Sequence, residues 1–303
     1  MVMMEVLRSS VNEWECDQMG HLNVRHYFGR ANDGIALLLA ELGLGPARLR
    51  QEGLCVRATD QHVRFVREMR PGTAYCARAG VTSAAADRLR TYLEIGIRPQ
   101  DELSAAVQSE SSLIDLASGS HRNFPSQLQT RSQPIHSEVP AHGQARGIVR
   151  EPPRPPLRRA QAIDRGLVGA FLGPVQPEDC DANGLMRESG MMAKVSDGMS
   201  HFFLSLRDRP RPKDLGGAAL EYRFVFRRWP RLGDFLEVRS GLKAVGKKTM
   251  NICHFIFDVE SGECVASAEV VSVSFDLATR KSVEIPEDAR AAMQQLVIAD
   301  LAL

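Results

Sequence analysis

The sequence contains the same local pattern twice, at positions that lie 164 residues apart. Each copy has an aspartate, a glycine three residues later and an Asp-Gly pair further along the chain. The residues are Asp17, Gly20, Asp33 and Gly34 in the first copy, and Asp181, Gly184, Asp197 and Gly198 in the second. A chain of 303 residues with 44% hydrophobic residues can bury two separate cores. The repeat therefore predicts two domains of the same fold.

A stripe of apolar residues follows each repeated aspartate, with the spacing of three and four that places side chains on one face of a helix. The stripe consists of Tyr27, Phe28, Ala31, Ile35, Leu38, Leu39 and Leu42 in the first copy, and of Met191, Met192, Val195, Met199, Phe202, Phe203 and Leu206 in the second. This pattern predicts one long buried helix in each half. Gly34 and Gly198 lie inside these helices, where glycine costs about 1 kcal/mol relative to alanine. Their repetition indicates that another stretch of backbone approaches each helix closely.

Each predicted helix is preceded by one strand-like segment and followed by four. These segments are residues 6–14, 54–66, 74–82, 90–97 and 105–116 in the first half, and residues 167–175, 217–227, 235–242, 249–259 and 263–275 in the second. Phe65 and Gly72 match Phe226 and Gly233 at an offset of 161, so three residues are missing between the second helix and its strands. One helix with several antiparallel strands predicts an α+β unit in which a sheet wraps the helix. A short amphipathic helix is predicted at residues 288–297.

The composition changes between residues 121 and 166, where Pro, Arg, Ser and Gln dominate and two Pro-Pro pairs favour an extended chain. We interpret this segment as a linker between a domain at residues 1–120 and a domain at residues 167–303. Its many arginines are compatible with a solvated tether or with contacts to the phosphates of a coenzyme. We expect the two domains to pair through a sheet edge, because unpaired edges promote aggregation. A homodimer of such chains is compatible with this arrangement.

The acidic turns carry the most informative motifs, ECDQMGHLNVRHY at residues 15–27 and DCDANGLM at residues 179–186. An Asp-x-x-Gly turn before a long buried helix and several strands resembles the hotdog fold of acyl-thioester hydrolases. The two motifs resemble the 4-hydroxybenzoyl-CoA thioesterase-like branch of that group. The resemblance covers both halves of the chain but not the linker. It implies an α+β double hotdog that hydrolyses acyl-CoA or acyl-carrier-protein thioesters without a cofactor.

The resemblance also implies where the site lies. Asp17 is expected to activate water as a general base or to attack the thioester directly, with His21 and Asn23 as partners on the same turn. The carbonyl oxygen is expected to bind a backbone N–H group at the start of the helix, where the helix dipole also stabilises negative charge. The positions implied for substrate binding are Gly20, Val24, Gly184 and Glu188. Asp181 is implied as the catalytic aspartate of the second copy.

These assignments have structural alternatives. An aspartate before a helix is favoured as an N-cap residue, because its side chain accepts hydrogen bonds from the first N–H groups of the helix. His21 is equally compatible with a capping role. Plant-type acyl-carrier-protein thioesterases show an Asp-x-Asn-x-His pattern, but the first copy has Met19 in the Asn place and the second has Leu185 in the His place. Cys16 and Cys180 precede the two aspartates without a histidine partner in both copies, so we interpret them as small core thiols.

The two turns differ in the residues that follow the aspartate. The first copy has His21 and Asn23, whereas the second has Leu185 and Arg187 at the matching positions. We therefore predict that Asp17 carries most of the activity and that Asp181 is mainly a helix cap or a weaker second site. Two other functions are compatible with the same motif: a hotdog enoyl-CoA hydratase, which uses an Asp and a nearby His, and a non-catalytic acyl-CoA-binding protein.

The overall composition narrows the choice of partner. A formal net charge of +1 gives no general attraction to nucleic acid or to a membrane surface. The six cysteines show no spacing typical of a zinc site or a disulfide framework, so we predict no metal. No apolar run reaches about 18 residues, and the N-terminus lacks the pattern of a signal peptide. These features predict a soluble cytoplasmic protein with a small-molecule partner, and neither a nucleic-acid nor a membrane partner.

Overall fold

Each half of the sequence folds around one long helix. The computed structural model describes residues 3–206 and 214–303, and it divides the chain into the units Met1–Gln144 and Ala145–Leu303. The dividing point lies inside the predicted linker, whose extent remains a prediction. The connection from the second helix to its strands, where three residues are missing relative to the first half, includes residues 207–213, outside the described residues.

The first unit places the helix α1 against an antiparallel sheet. Its elements are β1 Met4–Ser10, α1 Val24–Glu41, α2 Pro46–Gln51, β2 Leu54–Phe65, β3 Ala74–Ala84, β4 Leu89–Ile97, β5 Glu102–Asp115, β6 His121–Arg122 and α3 Gln127–Ser132. The strand order is β1-β3-β4-β5-β2, and β6 pairs with β5. The helix α1 packs against β1, β3 and β4, and its predicted apolar stripe is buried.

The second unit repeats this arrangement. Its elements are α4 Arg159–Asp164, β7 Val168–Pro174, α5 Glu188–Ser205, β8 Leu215–Phe226, β9 Phe235–Val245, β10 Thr249–Asp258, β11 Cys264–Asp276 and α6 Glu287–Gln294. The strand order is β8-β11-β10-β9-β7. The helix α5 packs against β7, β9 and β10. The predicted α+β fold with one wrapped helix in each half is confirmed.

The first strand is shorter than the sequence predicts. It ends at Ser10 rather than near residue 14, because the chain turns into a one-turn 3₁₀ helix at Glu13–Glu15. Asn12 starts that turn, and its backbone N–H donates to the carboxylate of Glu15 at 2.9 Å. This reciprocal capping is a local hydrogen bond that competes with strand extension.

Gly34 and Gly198 lie where each helix packs tightly against the strands of its unit. A methyl group on Gly34 would lie 2.8 Å from the side chain of Leu93 and 2.9 Å from that of Val6. A methyl group on Gly198 would lie 3.0 Å from the backbone carbonyl carbon of Ala170. Val6 and Ala170 are themselves 164 residues apart. The predicted close approach of another stretch of backbone is confirmed at Gly198 but is wrong at Gly34, where side chains and not backbone lie against the helix.

We expect Gly198→Ala to destabilise the protein more than Gly34→Ala. Both changes gain about 1 kcal/mol of helix propensity, but the new methyl group at 198 meets backbone that cannot rotate away, whereas side-chain tips can move at 34. Overpacking of this kind costs about 1–3 kcal/mol. Urea denaturation followed by circular dichroism measures the difference. A Gly198→Ala protein as stable as Gly34→Ala would contradict this account of the contact.

Parts of the segment 121–166 pack on the unit to which they belong. Phe124 and Leu128 are buried in the first unit, and Arg131 donates from Nη1 to the carbonyl of Leu42 at the end of α1 (3.3 Å). In the second unit Ala162 of α4 joins an apolar cluster. Its other buried members are Leu167, Val225, Cys253, Phe255, Phe257, Cys264, Leu301 and Leu303. Arg131 therefore has a structural role, satisfying a carbonyl that the helix leaves open.

A matched pair of strand neighbours has apolar side chains in the first unit and polar ones in the second. Leu93 lies opposite Ala79 in the first unit, and His254 lies opposite Ser240 in the second. The hydroxyl of Ser240 and Nδ1 of His254 are 2.8 Å apart, and both residues are buried. Burial lowers the pKa of His254 to about 3, because the apolar interior disfavours the charged ring.

The buried His254 should make the second unit sensitive to acid. Its pKa is lower in the folded state than in the unfolded state, so the stabilisation from the neutral ring is complete above pH about 6.5 and is lost as the pH falls from there toward 3. The double variant Ser240→Ala/His254→Leu, which copies the Ala79–Leu93 pair, should lose less stability over this range. Urea unfolding between pH 7 and pH 4 measures it; parallel pH curves for both proteins would exclude His254 as the cause.

Candidate active site

The first acidic turn is closed by its own backbone hydrogen bonds. The N–H of Asp17 donates to the carbonyl of His21 at 3.0 Å, and the N–H of Gly20 donates to the carbonyl of Asp17 at 2.9 Å. Gly20 has a φ of 75°, in the left-handed region where glycine is favoured. A bridge between Cys16 and Leu22 completes the turn. The segment from Asp17 to His21 is therefore a tight loop before α1.

The N-cap of α1 is Asn23 and not Asp17. The side-chain oxygen of Asn23 accepts from the N–H of Arg25 at 3.0 Å. The carboxylate of Asp17 accepts instead from the N–H of Met19 at 2.8 Å, within its own turn. The interpretation of Asp17 as the helix cap is thus wrong, because the capping position is already filled. Asn23 has a structural role, and a catalytic role for it remains a prediction.

The side chain of His21 lies between two carboxylates. Its Nδ1 is 3.4 Å from Oδ2 of Asp17, and its Nε2 is 3.8 Å from Oε1 of Glu68. Nε2 is buried and makes no hydrogen bond with any residue that the structure describes. Glu68 comes from the loop between β2 and β3, and the sequence interpretation missed it. The turn therefore combines a partly exposed carboxylate, an imidazole and a second carboxylate.

The second turn has the same backbone but different side-chain partners. The N–H of Asp181 donates to the carbonyl of Leu185 at 2.8 Å, and the N–H of Gly184 donates to the carbonyl of Asp181 at 3.0 Å. Oδ1 of Asp181 accepts from the N–H of Asn183 (2.8 Å) and of Leu185 (3.1 Å). Arg187 is the N-cap of α5 and makes no side-chain cap. Asp181 therefore caps its own turn rather than the helix, which corrects the prediction of a helix cap.

Each turn is fixed to the loop that follows the first long strand of its unit. The N–H of Leu22 donates to the carbonyl of Met69 at 2.8 Å, and the N–H of Met186 donates to the carbonyl of Pro230 at 2.8 Å. The second turn has a further bond, from the N–H of Leu232 to the carbonyl of Gly184 at 3.0 Å. The second turn is thus held more closely to its loop by backbone alone.

A buried ion pair anchors each turn to its helix. The Glu15 carboxylate pairs with the Arg30 guanidinium and is 93% shielded from solvent, with only 7% of its side chain exposed. The matching residues are Asp179 and Lys194, which pair at 2.7 Å. Asp179 and Lys194 lie 164 positions after Glu15 and Arg30, respectively. The repeat therefore keeps the acidic and the basic position, although both side chains differ.

We expect Arg30→Met to lower the stability of the first unit by about 3 kcal/mol, because it leaves the Glu15 carboxylate buried without its main cationic partner. The exposed pair Arg8–Glu5 provides a matched control, since 79% of the Arg8 side chain is accessible. Arg8→Met should change the free energy of unfolding by less than about 1 kcal/mol. Urea unfolding measures both variants, and equal effects would show that the Glu15–Arg30 pair does not anchor the turn.

The start of α1 offers a backbone donor for an oxyanion. Val24 is the first residue of the helix, and the N–H groups of the first turn have no partner within the helix itself. Such donors and the positive end of the helix dipole favour a bound anion. Glu188 occupies the matching position in α5 and is buried. Gly184 has a φ of 69°, close to that of Gly20, so both glycines serve the geometry of the turn.

The thiol beside the first aspartate is poorly suited to nucleophilic attack. Burial and the neighbouring carboxylates of Asp17 and Glu15 raise the pKa of Cys16 above its ordinary value, which keeps the thiol protonated. Burial also raises the pKa of Tyr27, on the first turn of α1, to about 12.

Among residues 3–206 and 214–303, no three His, Cys, Asp or Glu side chains are placed to hold a metal ion. The same residues include no helix long and apolar enough to cross a membrane.

Comparison with protein families gives one match that covers most of the chain. The model of the thioesterase-like superfamily matches residues 11–140 and 175–293. The two segments correspond to the two halves of the sequence repeat, and each contains one acidic turn and its helix. None of the curated proteins matches the chain.

Comparison with solved structures supports the same fold. The 12:0-ACP thioesterase from Umbellularia californica has a TM-score of 0.68 and 11% identity, over 90% of this chain and 94% of that one. An acyl-ACP thioesterase from Bacteroides thetaiotaomicron has a TM-score of 0.64 and 10% identity, over 88% of this chain and 96% of that one. These similarities establish the double hotdog fold, as the motifs predict.

Proposed function

Because this chain belongs to the thioesterase-like superfamily and is a thioester hydrolase, we propose that it hydrolyses an acyl-CoA thioester at its first acidic turn, with Asp17 as the acting carboxylate. The observation that carries this proposal is the position of the helix cap. Since Asn23 caps α1, the Asp17 carboxylate keeps an oxygen that is directed to His21 rather than to the helix backbone.

The chemistry requires a base or nucleophile and a donor for the oxyanion. As a general base, Asp17 takes a proton from water while the water oxygen bonds to the thioester carbon. The carbonyl oxygen becomes an oxyanion, for which the N–H of Val24 is the proposed donor. The C–S bond then breaks, and the leaving thiolate takes the proton from Asp17. As a nucleophile, Asp17 instead bonds to the carbon, releases the thiolate and leaves an anhydride that water hydrolyses.

The first turn is better equipped for this reaction than the second. One oxygen of Asp17 accepts from Met19, and the other faces His21. Asp181 accepts from two backbone N–H groups, and its second oxygen accepts from the side-chain amide of Asn183 at 3.3 Å. A carboxylate whose oxygens already accept several hydrogen bonds has fewer lone pairs free to accept from a water molecule. We therefore propose one main site, at Asp17.

The substrate class is proposed as acyl-CoA, with acyl-carrier-protein thioesters as the alternative. Two similar structures are named as thioesterases for ACP-linked acyl groups, which favours a thioester of the phosphopantetheine type in general. The length of the acyl group is left to measurement. A panel of acyl-CoA and acyl-ACP substrates, with detection of the free thiol, distinguishes the two carriers.

A hydratase is a second candidate, because an Asp–His pair of this kind can also add water to an enoyl thioester. The 3.4 Å separation between Asp17 and His21 favours this reading. An enoyl-CoA assay that follows free thiol and enoyl absorbance together separates the candidates. Thiol release supports the thioesterase, and loss of enoyl absorbance without thiol supports the hydratase. Binding with neither signal supports a non-catalytic binder.

Asp17→Asn should lower thioester hydrolysis by about 10² or more, the scale of a lost base or nucleophile. The change retains the side-chain oxygen that accepts from Met19, so the turn should still fold. The readout is kcat/KM with the best acyl-CoA of the panel, together with a circular dichroism spectrum.

Asp181→Asn is the matched control in the second turn. We expect it to retain more than half of the activity, since the proposed site lies in the first unit. Equal losses of about half in both variants would overturn the single-site proposal. Full activity of a folded Asp17→Asn protein would overturn the assignment of Asp17.

A further inference from the structure

We propose that Glu68 is a positioning residue, which fixes the His21 ring against Asp17 for the reaction. This inference rests on the proposed function of the first turn and adds to it a residue from a different part of the chain. Glu68 lies 47 positions after His21 in sequence, on the loop between β2 and β3. Oε1 of its carboxylate lies 3.8 Å from Nε2 of His21.

The ring of His21 is mostly buried, and one of its two nitrogens makes no hydrogen bond with the described residues. Only 13% of its side chain is exposed, and Nε2 is buried without a hydrogen bond among the described residues. A buried polar atom without a partner is unfavourable, by about 1–3 kcal/mol. When the ring carries a proton on both nitrogens, Nδ1–H faces Asp17 and Nε2–H faces Glu68. The second carboxylate thus determines which edge of the ring faces Asp17.

Backbone hydrogen bonds on both sides hold Glu68 in place. On one side, the N–H of Arg67 donates to the carbonyl of Ser104 (3.1 Å), and the hydroxyl of Ser104 donates to the carbonyl of Arg67 (2.7 Å). On the other side, the carbonyl of Met69 accepts from the N–H of Leu22 (2.8 Å). Leu22 directly follows His21, so the same bond fixes the loop and the turn together.

Tyr27 extends this support from the helix. Its hydroxyl lies 3.3 Å from the hydroxyl of Ser104, and its ring packs edge-on against Phe65 with centroids 5.1 Å apart. Tyr27 is on the first turn of α1, and Phe65 ends β2. The helix start, the end of β2 and the Glu68 loop are therefore connected through the buried side chains of Tyr27 and Ser104 and the half-buried ring of Phe65.

The second unit supplies an internal comparison. In the first unit, the backbone N–H groups of Val66 and Arg67 donate to the carbonyl of Ser104. In the second unit, the backbone N–H groups of Arg227 and Arg228 donate to the carbonyl of Val265 in the same way. The two loops are therefore equivalent. Four polar side chains around the first turn, those of His21, Tyr27, Glu68 and Ser104, are replaced there by side chains without a carboxylate, imidazole or hydroxyl. The pairs are His21 and Leu185, Glu68 and Trp229, Tyr27 and Met191, and Ser104 and Val265.

This joint replacement argues for a shared role. The backbone of turn and loop is retained in the second unit without any of the four polar groups, so these groups are dispensable for the fold. Glu68 and His21 are present together or absent together. Two residues that act as one unit are expected to show this behaviour, because each is of little use without the other.

The first test does not require catalysis. Long-range ¹⁵N–¹H NMR spectra of the histidine rings report the protonation pattern and order of His21 in the free protein. Glu68→Gln should change the His21 cross-peaks at constant pH, and Glu68→Asp should restore them in part. Glu102→Gln is the matched control, because Glu102 is similarly exposed and pairs with the neighbouring Arg67 at 3.0 Å. An unchanged His21 spectrum in Glu68→Gln would overturn the proposal.

The second test uses the reaction. Glu68→Gln should lower kcat about tenfold and leave KM unchanged, while Glu102→Gln should leave both unchanged. In a double-mutant cycle, His21→Asn/Glu68→Gln should lose no more activity than His21→Asn alone. Additive losses, or a loss confined to KM, would overturn the positioning role.

The two tests separate this proposal from the proposed function. A changed His21 spectrum in a protein inactive on every thioester would support the Glu68–His21 contact and reject the proposed function. An active enzyme with an unchanged spectrum and full kcat in Glu68→Gln would support the function and reject the role of Glu68.

Discussion

A buried ion pair between an acidic turn and the helix behind it organises each half of this protein. Glu15 and Arg30 in the first unit, and Asp179 and Lys194 in the second, connect a turn to the second turn of its helix. Buried charges without a partner are strongly unfavourable, so each acidic residue is stable in the interior only beside its cation. The position of the turn, and with it the position of Asp17, depends on that requirement.

Most of the fold could be predicted because the same pattern of turn, helix and strands occurs twice in the sequence. The apolar stripe of α1 was readable from its spacing, and its repetition as α5 excluded a chance pattern. The end of β1 could not be predicted in this way, since it depends on the reciprocal bond between Asn12 and Glu15 rather than on periodicity. The division at Gln144 and Ala145 was hidden by composition, because buried residues such as Phe124 and Leu128 are sparse within the Pro- and Arg-rich segment.

The site could be predicted only where its residues are close in sequence. Asp17, His21 and Asn23 share one turn, and the motif identified all three, although it did not show that Asn23 is the cap. Glu68 was missed because loop geometry rather than sequence distance brings it to His21. A residue-by-residue comparison of the two halves at the offset of 161 would have exposed the change from Glu68 to Trp229.

The matching backbone bonds of the two acidic turns have an evolutionary consequence. Since main-chain groups and one left-handed glycine, Gly20 or Gly184, specify the shape of each turn, side chains there can be exchanged with little effect on the scaffold. After duplication, the side chains of one turn could thus change while both turns kept the same backbone shape. The second turn could accept the polar groups of the first: a chain with histidine at 185 and glutamate at 229 would already have the peptide geometry of the first turn.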